Sequence, residues 1–104
     1  MTEMAKLAEK LMQNNIPFEI NYMDKTLFSR CGESVPQIVY PNSKKYVCDV
    51  ICHKYSYGGD HGLLEIMGLT DNEYDDVEGY LTAEEVFKKI FNHYKKTLDK
   101  HKKM

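Results

Sequence analysis

Between residues 17 and 53 the apolar residues come in short runs, each closed within a few positions by turn-forming residues, and this punctuation restricts the fold more than any other feature. PFEINY (17–22) alternates Phe18, Ile20 and Tyr22 with Glu19 and Asn21, the period-two pattern of a half-buried strand. Met23, Asp24 and Lys25 turn the chain, and TLFSRC (26–31) reads as a second strand ended by Gly32, Glu33 and Ser34. QIVY (37–40) is a third. It is closed by Pro41, Asn42 and Ser43, where proline fixes φ and the short polar side chains bond their own backbone. KYVCDVICH (45–53) is a fourth and the most apolar. Connections this short join antiparallel neighbours, because a parallel pair needs a long crossover. The pattern therefore predicts a four-stranded antiparallel meander.

Helical periodicity flanks the strands. In residues 3–14, Met4, Leu7, Ala8, Leu11 and Met12 share one face, Thr2 is placed to cap the start, and Asn14, Asn15 and Pro17 stop the helix. Near the other end, Thr82-Ala-Glu-Glu85 is a capping box, in which hydroxyl and carboxylate satisfy each other's orphan amides. It opens a helix with Ala83, Val86, Phe87, Ile90, Phe91 and Tyr94 on one broad face, and residues 99–104 are expected to fray. Between these regions, residues 62–67 read as a short helix capped by Gly68, and a second Thr-x-x-Glu box (Thr70 to Glu73) allows one more. The predicted order is α-β-β-β-β-α-(α)-α. It makes a two-layer α+β domain whose terminal helices cover one face of the sheet. At 104 residues this is a single domain with one modest core.

Charge is sorted along the chain although the net charge is only −2. Residues 60–85 hold nine acids and no Lys or Arg, whereas seven lysines and one acid follow from Lys88 onward. Helix electrostatics favours acids at a helix start and lysines at its end, but the acidic block begins far upstream of Thr82. An acidic surface that steers a basic partner is the functional reading of DNEYDDVE (71–78). The residues that would carry it are Asp71, Glu73, Asp75, Asp76 and Glu78, with Tyr74 and Tyr80 supplying apolar bodies and polar tips. As a calcium loop the stretch fits poorly, since Asp76 stands where the required glycine belongs. The lysine-rich end reads as a solvated helix face, so direct nucleic-acid binding is not expected.

SYGGDHG (56–62) is the other candidate. Glycines ahead of a helix can cradle a phosphate, but neither the Walker nor the dinucleotide spacing is present, and Asp60 and Glu65 would repel an anion. A turn is the plain expectation, with Gly58 and Gly59 at positive φ and Asp60 as a cap. The alternative is a small-ligand site built from Tyr55, Tyr57, Gly58, Gly59, Asp60 and His61. Zinc held by Cys48, Cys52, His53 and His61 is a further alternative. On a strand, positions 48 and 52 stand about 13 Å apart, which is too far for one metal, so no metal and no cofactor is expected. No G-x-S-x-G or HExxH set is present; His53, His61, Tyr55 and Tyr57 could converge near the loop as acid–base groups, but four polar residues on one loop are a common accident, and the reading leans against an enzyme. Three cysteines without an export signal point to reduced thiols and a cytoplasmic setting, and no apolar run is long enough to span a membrane.

At QIVYP, YVCDVICH, SYGG, LLEIMGLT and DDVEGYLTAEEVFKKI, over roughly residues 5–95, the chain resembles small proteins of unassigned function encoded in Firmicutes genomes, often in prophages and other mobile elements. The resemblance carries no activity and no site residues. It implies a setting, because short mobile-element proteins without a catalytic motif are often regulators or inhibitors that bind another protein. Residues and resemblance together lead to the expectation of a non-enzymatic interaction protein with a basic host partner. Pairing of two copies through an open sheet edge is a further expectation.

Overall fold

The computed structural model describes residues 1–23, 35–53, 56–70 and 76–102. Helix α1 spans Glu3–Gln13, and Thr2 caps it by accepting the Ala5 N–H at 3.1 Å. Strands β1 (Glu19–Met23), β2 (Val35–Tyr40), β3 (Cys48–Ile51), β4 (Leu64–Met67) and β5 (Val77–Leu81) follow, and helix α2 (Ala83–Lys102) closes the order. Each strand pairs antiparallel with the next, giving a five-stranded sheet in the order β1-β2-β3-β4-β5. The fold is α+β. No helix among the described residues is long and apolar enough to cross a membrane.

The Thr82 box opens α2 as its sequence demands. The Glu85 N–H donates to Thr82 Oγ1 at 3.2 Å, and the Thr82 N–H donates to Glu85 Oε1 at 3.0 Å. These bonds hold the Glu85 carboxyl below its ordinary range, the backbone donor having the largest effect.

The sheet departs from the four-stranded expectation in its second half. Residues 64–67, expected to be helical, form β4 instead, and Val77 and Glu78, the end of the acidic stretch 71–78 that reads as a loop, open a fifth strand, β5. The reason lies in cross-strand partners. Leu64 and Ile66 are both fully buried while Glu65 and Met67 lie on the opposite face, and Ile66 sits between Val50 on β3 and Glu78 on β5. Gly68 therefore ends no helix; at φ +91° it starts the turn after β4, and its N–H reaches Asp76 O at 2.8 Å. TLFSRC lies outside the described residues, as do residues 71–75 of the Thr70 box. The chain emerges from them into strand rather than helix.

Register assigns the two faces. Ile20, Ile38, Val50, Ile66 and Glu78 form one cross-strand row, and Tyr40, Cys48, Leu64 and Leu81 share its face. This face packs on Leu7 and Leu11 of α1 and on Ala83, Val86 and Ile90 of α2 in a single core. Each fully buried Leu, Ile or Val contributes about 1.5–3 kcal/mol relative to exposure. Glu78 is the one charged member of that row. A carboxylate on a helix-covered face needs a partner, and Lys89 of α2 supplies it at 3.2 Å. A second cross-link joins the helix starts, where Glu3 Oε1 accepts the Ala83 N–H at 2.8 Å across 80 residues of sequence.

Between Leu64 and Ile66 the β4–β5 pairing slips, so that Glu65 opposes both Gly79 and Tyr80. This is a β-bulge, and Tyr80 takes φ +60° within it.

Candidate functional site

The bulge and the glycine-rich segment form one structure. Residues 56–62 fold back against β5: the Tyr80 N–H donates to Tyr57 O at 3.1 Å. A Cβ on Gly79 would lie 2.2 Å from Tyr57 Cβ, and one on Gly58 would lie 2.8 Å from the Tyr80 backbone. Only glycine permits so close an approach. The Tyr57 N–H binds the Glu65 carboxylate, while burial, followed by the nearby Asp49, raises that carboxyl above its ordinary range. The segment thus lies on the sheet face opposite the helices.

Most of its amides are used internally. Ser56 N–H donates to His53 O, Gly59 N–H to Ser56 O, His61 and Leu63 N–H to Gly58 O, and Gly62 N–H to Gly59 O, at 2.9–3.0 Å. Ser56 Oγ closes the entry by accepting the His53 N–H and donating to His53 O, each at 2.8 Å. Gly59–His61 is a single 3-10 turn, capped by Gly58 (φ +90°) and Gly62 (φ +73°). The sequence expectation is corrected in two details. Gly59 is required by the His53 carbonyl, 1.6 Å from where its Cβ would stand, rather than by a positive φ, and Asp60 lies inside the turn rather than capping a helix.

This packing presents side chains outward. Tyr57 and Tyr80 are 64% and 59% exposed, and the side chains of Asp60 and His61 are about as open. The His61 and Tyr80 rings lie 6.2 Å apart. Two candidates that look separate in sequence therefore meet: Tyr57, Asp60 and His61 from one, Tyr80 from the other. Asp76 is exposed where the chain enters β5. Glu78 points to the helix-covered face instead. Asp71, Glu73, Tyr74, Asp75 and Tyr55 lie outside the described residues.

The cysteines and histidines are arranged differently. Cys48 is wholly buried on the core face, where burial pushes its thiol up to about 12. Cys52 and His53 follow β3 and are half-buried, and His61 is exposed. Among the described residues no three His, Cys, Asp or Glu side chains gather as a metal would require.

A groove of about 520 Å³ lies along the flank of α2. Glu85, Lys88, Lys89, Asn92, His93 and Lys96 line its helical wall, and Leu69, Thr70, Glu78 and Leu81 line the other. The helical residues recur every three or four positions, so they form one stripe beside the core stripe of Val86 and Ile90. That spacing is visible in the sequence, where it reads as an ordinary solvated face. The anchoring of His93, whose Nδ1 shares a 2.8 Å hydrogen bond with the Tyr40 hydroxyl, leaves no sequence signal.

Comparison with protein families, with curated proteins and with solved structures finds no match, so the functional reading rests on this geometry.

Proposed function

We propose that this protein acts by binding rather than by catalysis, presenting exposed tyrosines flanked by acids to a basic protein partner. In the setting implied by the sequence resemblance, it is a regulatory protein of a mobile element. The observation that carries this reading is the juxtaposition of Tyr57, Asp60 and His61 with Tyr80, fixed by the Tyr57–Tyr80 backbone bond and by glycines at both contact points.

Tyrosine offers a large apolar ring with a polar tip and few rotatable bonds, so an exposed tyrosine on a rigid backbone loses little entropy when it is covered. Both rings here stand on backbone pinned from two sides. Asp60, Asp76 and Glu84 are exposed acids of the same chain half, and a field of that sign speeds encounter with a cationic surface. Glu78 leaves the contact set, because its carboxylate is committed to Lys89.

The test is a peptide-display selection on the folded full chain. Selected peptides should be rich in Lys and Arg and weaken as salt is added. They should lose about tenfold in affinity against Tyr80→Ala, a loss typical of an interface anchor. Alanine keeps the Cβ that packs on Gly79, so Tyr57→Ala should weaken the same peptides without altering the melting temperature. Peptides without a basic excess, or peptides that bind the double alanine variant equally well, would overturn the proposal.

A further inference from the structure

The α2 groove serves neither the core nor the tyrosine surface, and its volume falls in the range of sites for small molecules, about 300–1,000 Å³. Its charges are not distributed evenly. The two acids stand toward the start of α2 and are both engaged, Glu78 with Lys89 and Glu85 with the Thr82 cap. Lys88 stands one turn from Glu85, within reach of its charge, and Asn92, His93 and Lys96 extend along the helix beyond. These are donors of the kind that surround a phosphate, with lysine acting as a mobile point charge and Asn and His as directional groups. His93 is held in place for this role. Tyr40, 2% exposed and anchored in the core, occupies Nδ1 and leaves Nε2 as the nitrogen open to a ligand. The two rings also meet edge to face at 5.5 Å, which fixes the imidazole plane.

We infer that the groove between α2 and the β4–β5 end is a binding site for a small organic phosphate, with the phosphate on Lys88, Asn92, His93 and Lys96 and the organic body over Leu69 and Leu81. The cavity is too large for phosphate alone, and the leucines give it an apolar floor. A nucleic-acid strand fits less well. Its next phosphate along the groove would approach Glu78 and Glu85, and like charges in close apposition oppose binding.

The experiment titrates isotope-labelled full-length protein with phenyl phosphate and adenosine monophosphate, and separately with phenol, adenosine and a single-stranded oligonucleotide, following backbone amide shifts. Both phosphates should give saturable shifts confined to residues 69–70, 78–81 and 85–96, and the phosphate-free bodies should give none. Lys88→Gln with Lys96→Gln should weaken phosphate binding about tenfold, the equivalent of 1.4 kcal/mol, while the remaining amide spectrum stays unchanged. His93→Gln should weaken it less. If both phosphates leave those amides unmoved at about 10 mM, a concentration at which even weak sites fill, the inference fails. It fails equally if adenosine alone reproduces the shifts, or if the oligonucleotide binds more tightly than the small phosphates.

Discussion

Glu3 offers the sharpest test of how this fold is held together. Its Oε1 accepts the Ala83 N–H at 2.8 Å and its Oε2 pairs with Lys6 Nζ at 2.9 Å, with the side chain 19% exposed. Ala83 is the first residue of α2, so its N–H is one of the donors that no helical carbonyl can reach. Thr82 already serves Glu85 N–H, and Glu3 supplies the missing acceptor from the start of the other helix. A hydrogen bond to a charged group contributes about 1.5–3 kcal/mol, whereas the half-exposed Lys6 pair adds at most about 1 kcal/mol. Glu3→Gln keeps a neutral acceptor and should cost about 1 kcal/mol. Glu3→Ala strands the Ala83 N–H and should cost about 2 kcal/mol. In a domain of this size each kilocalorie lowers Tm by about 4–8 °C. The pH dependence separates this mechanism from simple packing. The Ala83 N–H, and then Lys6, hold the Glu3 carboxyl below its ordinary range in the folded state. A depressed folded-state pKa means that the contribution is fully present above the unfolded-state value and is lost as pH falls through the folded-state value. Urea unfolding of wild type and Glu3→Gln should therefore show a stability gap at neutral pH that closes in acid, since both proteins share every other carboxylate. A gap that stays constant with pH would refute the reasoning, as would a Glu3→Ala cost no greater than that of the exposed control Glu9→Ala.

Two further outcomes follow from the glycine-rich segment and the thiols. Gly59→Ala should destabilise by about 3 kcal/mol in urea unfolding, because its Cβ would drive into the His53 carbonyl and the Ser56 hydroxyl; Gly62→Ala meets no atom within 4 Å and should cost only the left-handed backbone term of about 1–2 kcal/mol. In the folded protein, maleimide labelling followed by peptide mapping should modify Cys52 well before Cys48, whose buried thiol is held up near 12; equal rates would show that the core opens readily.

The sequence is most legible where local chemistry and tertiary packing agree. Thr2 and the Thr82–Glu85 box mark both helix starts because a cap is satisfied within four residues of chain. Strands β1 to β3 announce themselves through alternation and through turns such as Asn42, whose Oδ1 accepts the N–H of both Lys44 and Lys45 at 3.0 Å. Strand β4 is misread because Leu, Glu, Ile and Met are as compatible with one helical turn as with four residues of strand. Its conformation is decided by Val50 and Glu78, which lie 16 residues before and 12 after Ile66. Strand β5 is hidden by its own irregularity: VEGYL contains a glycine and an acid that local propensity assigns to a loop.

The same distinction governs the candidate sites. The glycines of residues 56–62 invite a phosphate reading when judged by type alone, yet Gly58 and Gly59 serve close backbone approach, Gly62 a left-handed φ, and most of the amides the turn itself. What those contacts achieve is to carry Tyr57 up to Tyr80, which no spacing rule connects. Conversely, the lysines of α2 look like a solvated helix end until β5 and the residues after β4 supply a second wall, and until Tyr40 is seen to fix His93 from inside the core. Glu78 shows why the acidic block is not one surface. Strand pleating sends alternate residues to opposite faces, so a run of like charges that enters a sheet must divide, and the residue turned inward takes a lysine with it. Glu78 therefore joins the lysine-lined wall of α2, while Asp60 stays exposed beside His61 and Tyr80 on the other face.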